Sequence, residues 1–271
     1  MTKFHILNSG SCKQIEKLTN LSSPLKLVDF PALFFLIQHE KWGNILVDTG
    51  YSPHFFEETK HFPYSIYASI TPVNFDESHD AVNQIKRLGL TANDIDYLFI
   101  THFHADHIAG LKNFPKSKFI CSKEAYFHLR NKKGISALRE AFIPGLLPDD
   151  FEDRVVYIEE KPKGKIRDQF RDVYDIFGDE SFKAVNLTGH AVGQFGLFFE
   201  TENQAIFLIA DASWDSDAYR NYHLPSKLTK LIMYDFNMFQ DNLKRIHAFH
   251  KENQEVIIIP SHYREIQTSR G

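Results

Sequence analysis

The sequence predicts a layered α/β protein, because short apolar runs rich in β-branched and aromatic residues alternate with helical patterns. The runs are bounded by Gly, Pro, Asn or charged residues, as strands usually are. The strand candidates are 31–38, 44–50, 96–102, 117–122, 154–159, 195–201, 204–211 and 255–262. The helix candidates, which have apolar residues at helical spacing or follow a strand, are 80–90, 123–133 and 236–253.

Segment 134–180 departs from this alternation. It joins "IPGLLPDD" to the charged stretch "EEKPKGKIRDQFRD", in which Pro and Gly interrupt any long element. We therefore expect a cap-like insertion at one edge of the fold. No repeat of fixed period is evident, and 271 residues are within the range of one large α/β domain. We expect a single domain spanning 1–271.

The charge balance argues against a polyanionic partner. The chain has 31 Lys and Arg against 35 Asp and Glu, a net charge of −4, and no long basic run. We therefore expect no binding to nucleic acid or to a membrane, and a small or neutral molecule as the partner. The N-terminus lacks the apolar core of a signal peptide, and Cys12 and Cys121 make no disulfide framework. We expect a cytoplasmic protein with reduced cysteines.

The segment "FITHFHADHIAG", residues 99–110, places four residues of metal-binding type in one short turn after an apolar run. These residues are His102, His104, Asp106 and His107. At the frequencies of His and Asp in this chain, the pattern H-x-H-x-D-H is expected by chance about 0.003 times. Neutral imidazoles and carboxylates are ligands that zinc prefers. The motif therefore predicts a metal site rather than a solvated loop rich in histidine.

Three later strand candidates also end in a residue of metal-binding type. "AVNLTGH" ends at His190, "AIFLIAD" at Asp211 and "VIIIPSH" at His262. Active sites of α/β folds lie beyond the carboxyl ends of strands. Each of these residues taken singly would be structural, but together they indicate convergence on one site.

The order and spacing of these motifs resemble those of the metallo-β-lactamase-fold hydrolases over essentially the whole chain, and most closely the N-acyl homoserine lactonase branch. Asp48 in "LVDTG" matches the first motif of the family. The resemblance implies a four-layer αββα sandwich with two divalent metal ions at the sheet edges. It implies that His102, His104 and His190 bind one ion, that Asp106, His107 and His262 bind the other, and that Asp211 bridges them.

The implied reaction is the opening of a lactone or the cleavage of a related ester by a metal-bridging hydroxide, since two ions lower the pKa of a shared water toward neutrality. The ions are expected to be Zn²⁺, with Fe, Mn or Co as alternatives. Asp106 is expected to ligate one ion and to accept the proton of the attacking hydroxide. Asp48 is expected to orient a ligand, unless it only forms an Asp-Thr-Gly turn.

One position departs from the lactonase pattern. The residue three after the bridging aspartate is a tyrosine in that branch, whereas "ADASW" places Trp214 there. An indole N–H donates a hydrogen bond but cannot transfer a proton near neutral pH. Tyr219 or Tyr222 could supply the phenol if the following loop folds back. The departure weakens the lactone prediction and leaves the hydrolase prediction intact.

The 25 Phe residues favour an apolar pocket. The aromatic loop 61–75 could receive an acyl chain or an aromatic ring of the substrate, the alternative being core filling. Within the superfamily, the alternative activities are those of a glyoxalase II-like thioesterase and a phosphotriesterase-like hydrolase. A metal-bound ligand sensor without turnover is the non-enzymatic alternative, but intact ligand positions favour catalysis. A homodimer is left open.

Overall fold

The computed structural model describes residues 2–166 and 169–265, and the chain divides into two compact units. The first unit comprises Met1–Cys12 and Pro31–Tyr157, and the second comprises Lys13–Phe30 and Ile158–Gly271. Each unit contains a sheet and helices, so the predicted mixed α/β class is confirmed. A single domain over 1–271 stays a prediction.

The sheet of the first unit has parallel strands at its centre. In the described chain its strands are β1 (Thr2–Ile15), β2 (Leu27–His39), β3 (Gly43–Val47), β4 (Val73–Asn74), β5 (Tyr97–Phe99), β6 (Lys118–Cys121) and β7 (Val155–Tyr157). Their order is β4-β1-β2-β3-β5-β6-β7, and β3, β5, β6 and β7 run parallel. Because β3 and β5 are parallel neighbours, the segments that follow them emerge at the same edge of the sheet.

The sheet of the second unit is mostly antiparallel. Its strands in the described residues are β8 (Val173–Asp175), β9 (Phe182–Asn186), β10 (Phe195–Glu200), β11 (Ala205–Ala210) and β12 (Ile257–Pro260), in the order β12-β11-β10-β9-β8. β12 is parallel to β11, whereas β8 to β11 alternate in direction. The strands β9, β11 and β12 therefore end at one edge of this sheet.

Most helices are short, and none of those in the described residues is long and apolar enough to cross a membrane. The α-helices are α1 (Glu16–Thr19), α2 (Pro53–Glu58), α3 (Ser65–Ile70), α4 (Ala81–Arg87), α5 (Ala105–Ile108), α6 (Lys123–Leu129), α7 (Ile135–Leu138), α8 (Phe151–Arg154), α9 (Ser216–Asn221) and α10 (Phe236–Glu252). Asp235 caps α10 by accepting from the backbone N–H groups of Asn237 and Met238. One face of α10 buries Phe239, Leu243, Ile246 and Phe249, as its apolar spacing predicts.

Each predicted strand and helix segment contains an element of the predicted type. The segment 134–180 is more integrated than the predicted cap-like insertion, because residues 134–157 add β7 to the first sheet and residues 158–180 add β8 to the second. The strand β1 was not predicted from the sequence, because its irregular burial pattern lacks the alternation typical of a strand. The aromatic segment 61–75 is also not one loop, since it contains α3 and β4.

Candidate functional site

In the first unit, the turn after β3 is bound to the histidine-rich segment after β5. The backbone N–H of Thr49 donates to the carbonyl of His107 at 2.8 Å. The hydroxyl of Ser52 donates to the carbonyl of Ala109 at 2.6 Å. The strand order puts both segments at one sheet edge, and these hydrogen bonds lock their register.

The carboxylate of Asp48 is fully buried and accepts from two groups of one residue. The backbone N–H of Thr101 lies 2.9 Å from Oδ1, and the hydroxyl of Thr101 lies 2.7 Å from Oδ2. The Nδ1 atom of His107 also lies 2.7 Å from Oδ2 of Asp48. Because a carboxylate accepts, this partner places the imidazole proton on Nδ1 and leaves Nε2 able to bind a metal.

The three imidazoles of the motif lie close together. The ring centroids of His102 and His104 are 4.5 Å apart, and those of His102 and His107 are 3.9 Å apart. An oxygen of Asp106 lies 3.7 Å from Nε2 of His107. His104 is half-buried and the others are buried. Like charges at this spacing repel strongly, so neutral imidazoles that share a cation fit the cluster better than imidazolium groups do.

In the second unit, one carboxylate oxygen lies between two imidazoles. The Oδ2 atom of Asp211 is 3.3 Å from Nε2 of His190 and 3.2 Å from Nε2 of His262. All three side chains are buried. The structure therefore brings these three predicted ligands together, although each follows a different strand.

Local backbone geometry positions these ligands. The pairing of β11 with β12 shifts register between Leu208 and Ala210, and Ala210 has a φ of 48° directly before Asp211. Such irregularities re-aim the next side chain and are common beside active sites. On the other side, the carbonyls of Gly189 and His190 accept from the N–H groups of Asp235 and Tyr234. A Cβ at Gly189 would lie 2.4 Å from the backbone nitrogen of Phe239, so only glycine allows this approach.

Trp214 packs against one of the predicted ligands. Its ring meets the imidazole of His190 edge-on, with centroids 5.4 Å apart, and lies 5.7 Å from the ring of Phe239. The side chain is buried. Trp214 therefore supports the orientation of His190, a contact that the sequence did not predict.

The prediction that Tyr219 could supply the phenol absent at position 214 is wrong. Its hydroxyl is buried and donates to the carbonyl of Ile258 in β12 at 3.1 Å. Burial raises the pKa of this phenol to about 12. Tyr222 packs on the ring of His247 instead. The hydroxyl of Tyr219 is therefore not placed to replace a phenol at position 214.

A further phenol, which was not predicted as a site residue, lies in the first unit. Tyr51 is fully buried, and its hydroxyl makes no hydrogen bond to nitrogen or oxygen among the described residues, although the thiol of Cys12 interacts with it. Burial raises the pKa of this phenol well above its ordinary range, and the charge of Asp106 raises it further. The signal was present in the sequence, because Tyr51 follows the Asp-Thr-Gly turn of Asp48 directly.

The aromatic residues of segment 61–75 differ in their surroundings, since some pack on other rings and Phe62 is exposed. Tyr67 packs on Phe55 with centroids 5.7 Å apart, and Phe75 packs on Phe56 at 5.3 Å. Phe62 is 73% exposed. The first two contacts agree with the core-filling interpretation, and a role for the segment in substrate binding stays a prediction.

Comparison with known proteins gives concordant results. The model of the metallo-β-lactamase superfamily matches residues 27–232. The N-acyl homoserine lactonase AttM of Rhizobium radiobacter is 25% identical over 243 residues, which cover 85% of this chain and 83% of AttM. The AttM lactonase of Azorhizobium caulinodans is 26% identical over the same length and coverage.

A solved N-acyl homoserine lactone hydrolase, with the product N-hexanoyl-L-homoserine bound at its catalytic metal centre, has the same fold. It superposes with a TM-score of 0.70 at 22% identity, covering 98% of this chain and 95% of that one. Together with the two sheets of the described chain, these matches confirm the predicted fold class.

Proposed function

This chain belongs to the metallo-β-lactamase superfamily and is a metal-dependent hydrolase, and we propose that it opens a lactone or cleaves a related ester with a metal-bridging hydroxide as the nucleophile. The observation that carries the proposal is the oxygen of Asp211 between the imidazoles of His190 and His262. From this position Asp211 would contribute to the binding of both ions.

The donor set fits divalent cations. The seven predicted ligands are histidines and aspartates of a kind that could hold a metal ion, and the Asp48 partner leaves Nε2 of His107 available as a lone-pair donor. Nitrogen and oxygen donors without thiolate suit zinc, and they also suit iron, manganese and cobalt. In our assignment His102, His104 and His190 would hold one ion, Asp106, His107 and His262 would hold the other, and Asp211 would contribute to both.

Two ions bound there would lower the pKa of water toward neutrality and polarise the scissile carbonyl. Asp106 would act as the proton acceptor, because its carboxylate can accept the proton of the nucleophile as the carbon–oxygen bond forms. Asp48 holds the imidazole of His107 through Nδ1, and Trp214 supports His190 from the side. The chain thus supplies a proton acceptor and two positioning contacts.

The relatives suggest the substrate class. Both AttM relatives are named N-acyl homoserine lactonases, and the proposed substrate is correspondingly a small lactone or ester with an acyl or aromatic group. Absence of nucleic-acid partners, a cytoplasmic location and a homodimer stay predictions.

A substrate panel with the zinc-loaded protein tests the proposal. The panel comprises N-acyl homoserine lactones, aryl esters, phosphotriesters and glutathione thioesters, and metal content is measured on the same preparation. We expect two ions per chain and the highest kcat/KM for a lactone or an ester. A stoichiometry of one ion with excess zinc would contradict the dinuclear site, and preference for thioesters or phosphotriesters would contradict the substrate class.

Substitution of the proposed proton acceptor separates chemistry from folding. Asp106→Asn keeps the shape but removes a charged ligand, so we expect kcat to fall by roughly 100-fold or more. The matched control is Asp94→Asn, at an exposed aspartate that only caps a turn near Thr91. Near wild-type turnover of Asp106→Asn would contradict the proposed mechanism.

A further inference from the structure

Two segments of the second unit, 17–28 and 218–234, contain basic residues but neither Asp nor Glu. Their basic residues are Lys17, Lys26, Arg220, Lys227 and Lys230. The chain as a whole has a net charge of −4. Acidic residues flank both segments: Lys26 pairs with Glu16, Arg220 pairs with Glu265, and Asp217 accepts from the amide of Asn20. The positive charge without such a pair within residues 2–166 and 169–265 is that of Lys17, Lys227 and Lys230.

Backbone hydrogen bonds join the two segments into one surface. The N–H of Leu21 donates to the carbonyl of Leu224 at 3.1 Å, and the N–H of Ser226 donates to the carbonyl of Leu18 at 2.9 Å. We call the exposed side chains of residues 17–28 and 218–234 the basic-apolar surface.

Large aliphatic side chains protrude from the basic-apolar surface. The exposed fractions are 85% for Leu231, 76% for Leu25, 66% for Leu228, 62% for Ile232 and 61% for Leu27. Single exposed apolar residues are normal, but a group with this degree of exposure marks an interaction site.

The 3-10 helix Lys227–Leu231 aligns leucines with leucines and lysines with lysines. Side chains three apart in a 3-10 helix eclipse each other, so Leu228 and Leu231 project together and Lys227 and Lys230 project together. The buried Thr229 fixes the turn, and its hydroxyl donates to the carbonyl of Ser226 at 2.6 Å.

The lysines of this helix have charge available for a partner. Lys26 lies 3.3 Å from Glu16, whereas Lys227 and Lys230 make no ion pair within residues 2–166 and 169–265. The ammonium of Lys230 lies 4.9 Å from the ring centroid of Phe236. Exposed leucines flanked by exposed lysines fit a partner that is both apolar and anionic.

We propose that the basic-apolar surface binds reversibly to the interface of an anionic lipid membrane, with its leucines at the acyl boundary and its lysines at the lipid phosphates. A second copy of the chain fits less well, because a two-fold contact would place the lysines of both copies together. Nucleic acid would leave the leucines exposed to water. The proposal revises the expectation of no membrane partner, and it does not depend on the proposed function.

Vesicle co-sedimentation of the full chain tests the proposal. The vesicles are phosphatidylcholine alone and an equal mixture of phosphatidylcholine and phosphatidylglycerol. We expect binding to the mixed vesicles that weakens as salt is raised, and little binding to phosphatidylcholine. Lys227→Gln and Lys230→Gln should each weaken binding about fivefold, and Leu231→Ser should weaken it by a similar factor or more.

The matched control is Ile70→Ser, because Ile70 is 68% exposed and lies in the other unit. This variant should bind as the wild type does. Absence of wild-type binding to the mixed vesicles, or equal binding to both compositions, would overturn the proposal. A wild-type dimer that Leu231→Ser converts to monomers would also overturn it, because a second copy would then cover the surface.

Discussion

The Oδ2 atom of Asp48 lies 2.7 Å from Nδ1 of His107, although 59 residues separate them in the chain. The contact exists because β3 and β5 are adjacent and parallel, so that the residues after each strand meet. The backbone of Asp48 has a φ of 59°, which is uncommon outside glycine and is tolerated best by Asp and Asn. The fold thus holds a carboxylate behind a predicted metal ligand at some conformational cost.

Asp48→Asn should weaken metal binding about 10- to 100-fold, because the neutral amide is a poorer partner for the Nδ1–H group of His107. Asparagine also tolerates positive φ, so the turn should survive. Competition with a chromogenic chelator measures the affinity. Asp175→Asn is the control, since buried Asp175 accepts only from backbone groups such as the N–H of Glu180. Equal affinities of wild type and Asp48→Asn would contradict the positioning role.

Trp214→Tyr should raise lactonase activity relative to aryl-esterase activity, because a phenol can donate to the reacting oxygen and relay a proton. One donor aimed at developing charge contributes roughly 3 kcal/mol in favourable cases. The smaller ring also loses packing on His190 and Phe239, which costs about 1 kcal/mol or more. Trp214→Phe has the same packing loss without the hydroxyl and is the control. No difference between the two variants in the activity ratio would exclude a role for the phenol.

Tyr51→Phe should leave the free energy of unfolding unchanged or increase it, because the buried hydroxyl of Tyr51 has only the weakly hydrogen-bonding thiol of Cys12 as a partner among the described residues. Tyr219→Phe is the matched comparison. It removes a hydroxyl that donates to the carbonyl of Ile258, so it should lower that free energy by about 1 kcal/mol. Urea denaturation measures both. A larger loss for Tyr51→Phe than for Tyr219→Phe would show that the Tyr51 hydroxyl has a stabilising partner.

Glu16→Gln should destabilise the protein near pH 7 by about 1–3 kcal/mol. Burial raises the pKa of Glu16, but Arg264 at 2.6 Å and Lys26 at 3.3 Å outweigh burial, so the pKa is lowered. A depressed carboxyl pKa adds stability that is present above the unfolded value of about 4.3 and is lost as the pH falls through the folded value.

The difference in stability between wild type and Glu16→Gln should therefore shrink as the pH falls below about 4. Unfolding free energies measured across this range check the sign. Glu202→Gln, at an exposed glutamate, is the control. A difference that grew toward acid pH would contradict the ion-pair explanation.

Features encoded by neighbouring residues could be predicted from the sequence. The 102–107 motif and helix α10 are of this kind, because ligand spacing and apolar periodicity are local properties. The strands that precede His190, Asp211 and His262 were predicted by their apolar runs for the same reason. Strand β1 was missed because its burial does not alternate regularly.

The sequence alone determined the superfamily, the α/β class and the seven candidate ligands, because the order of motifs and the spacing of apolar residues are properties of the sequence itself. The tertiary structure decided which groups support those ligands. The contact of Asp48 with His107, the packing of Trp214 on His190 and the bond of Tyr219 to Ile258 join residues far apart in the chain. It also showed the basic-apolar surface, since a net charge of −4 averages over positions that folding separates.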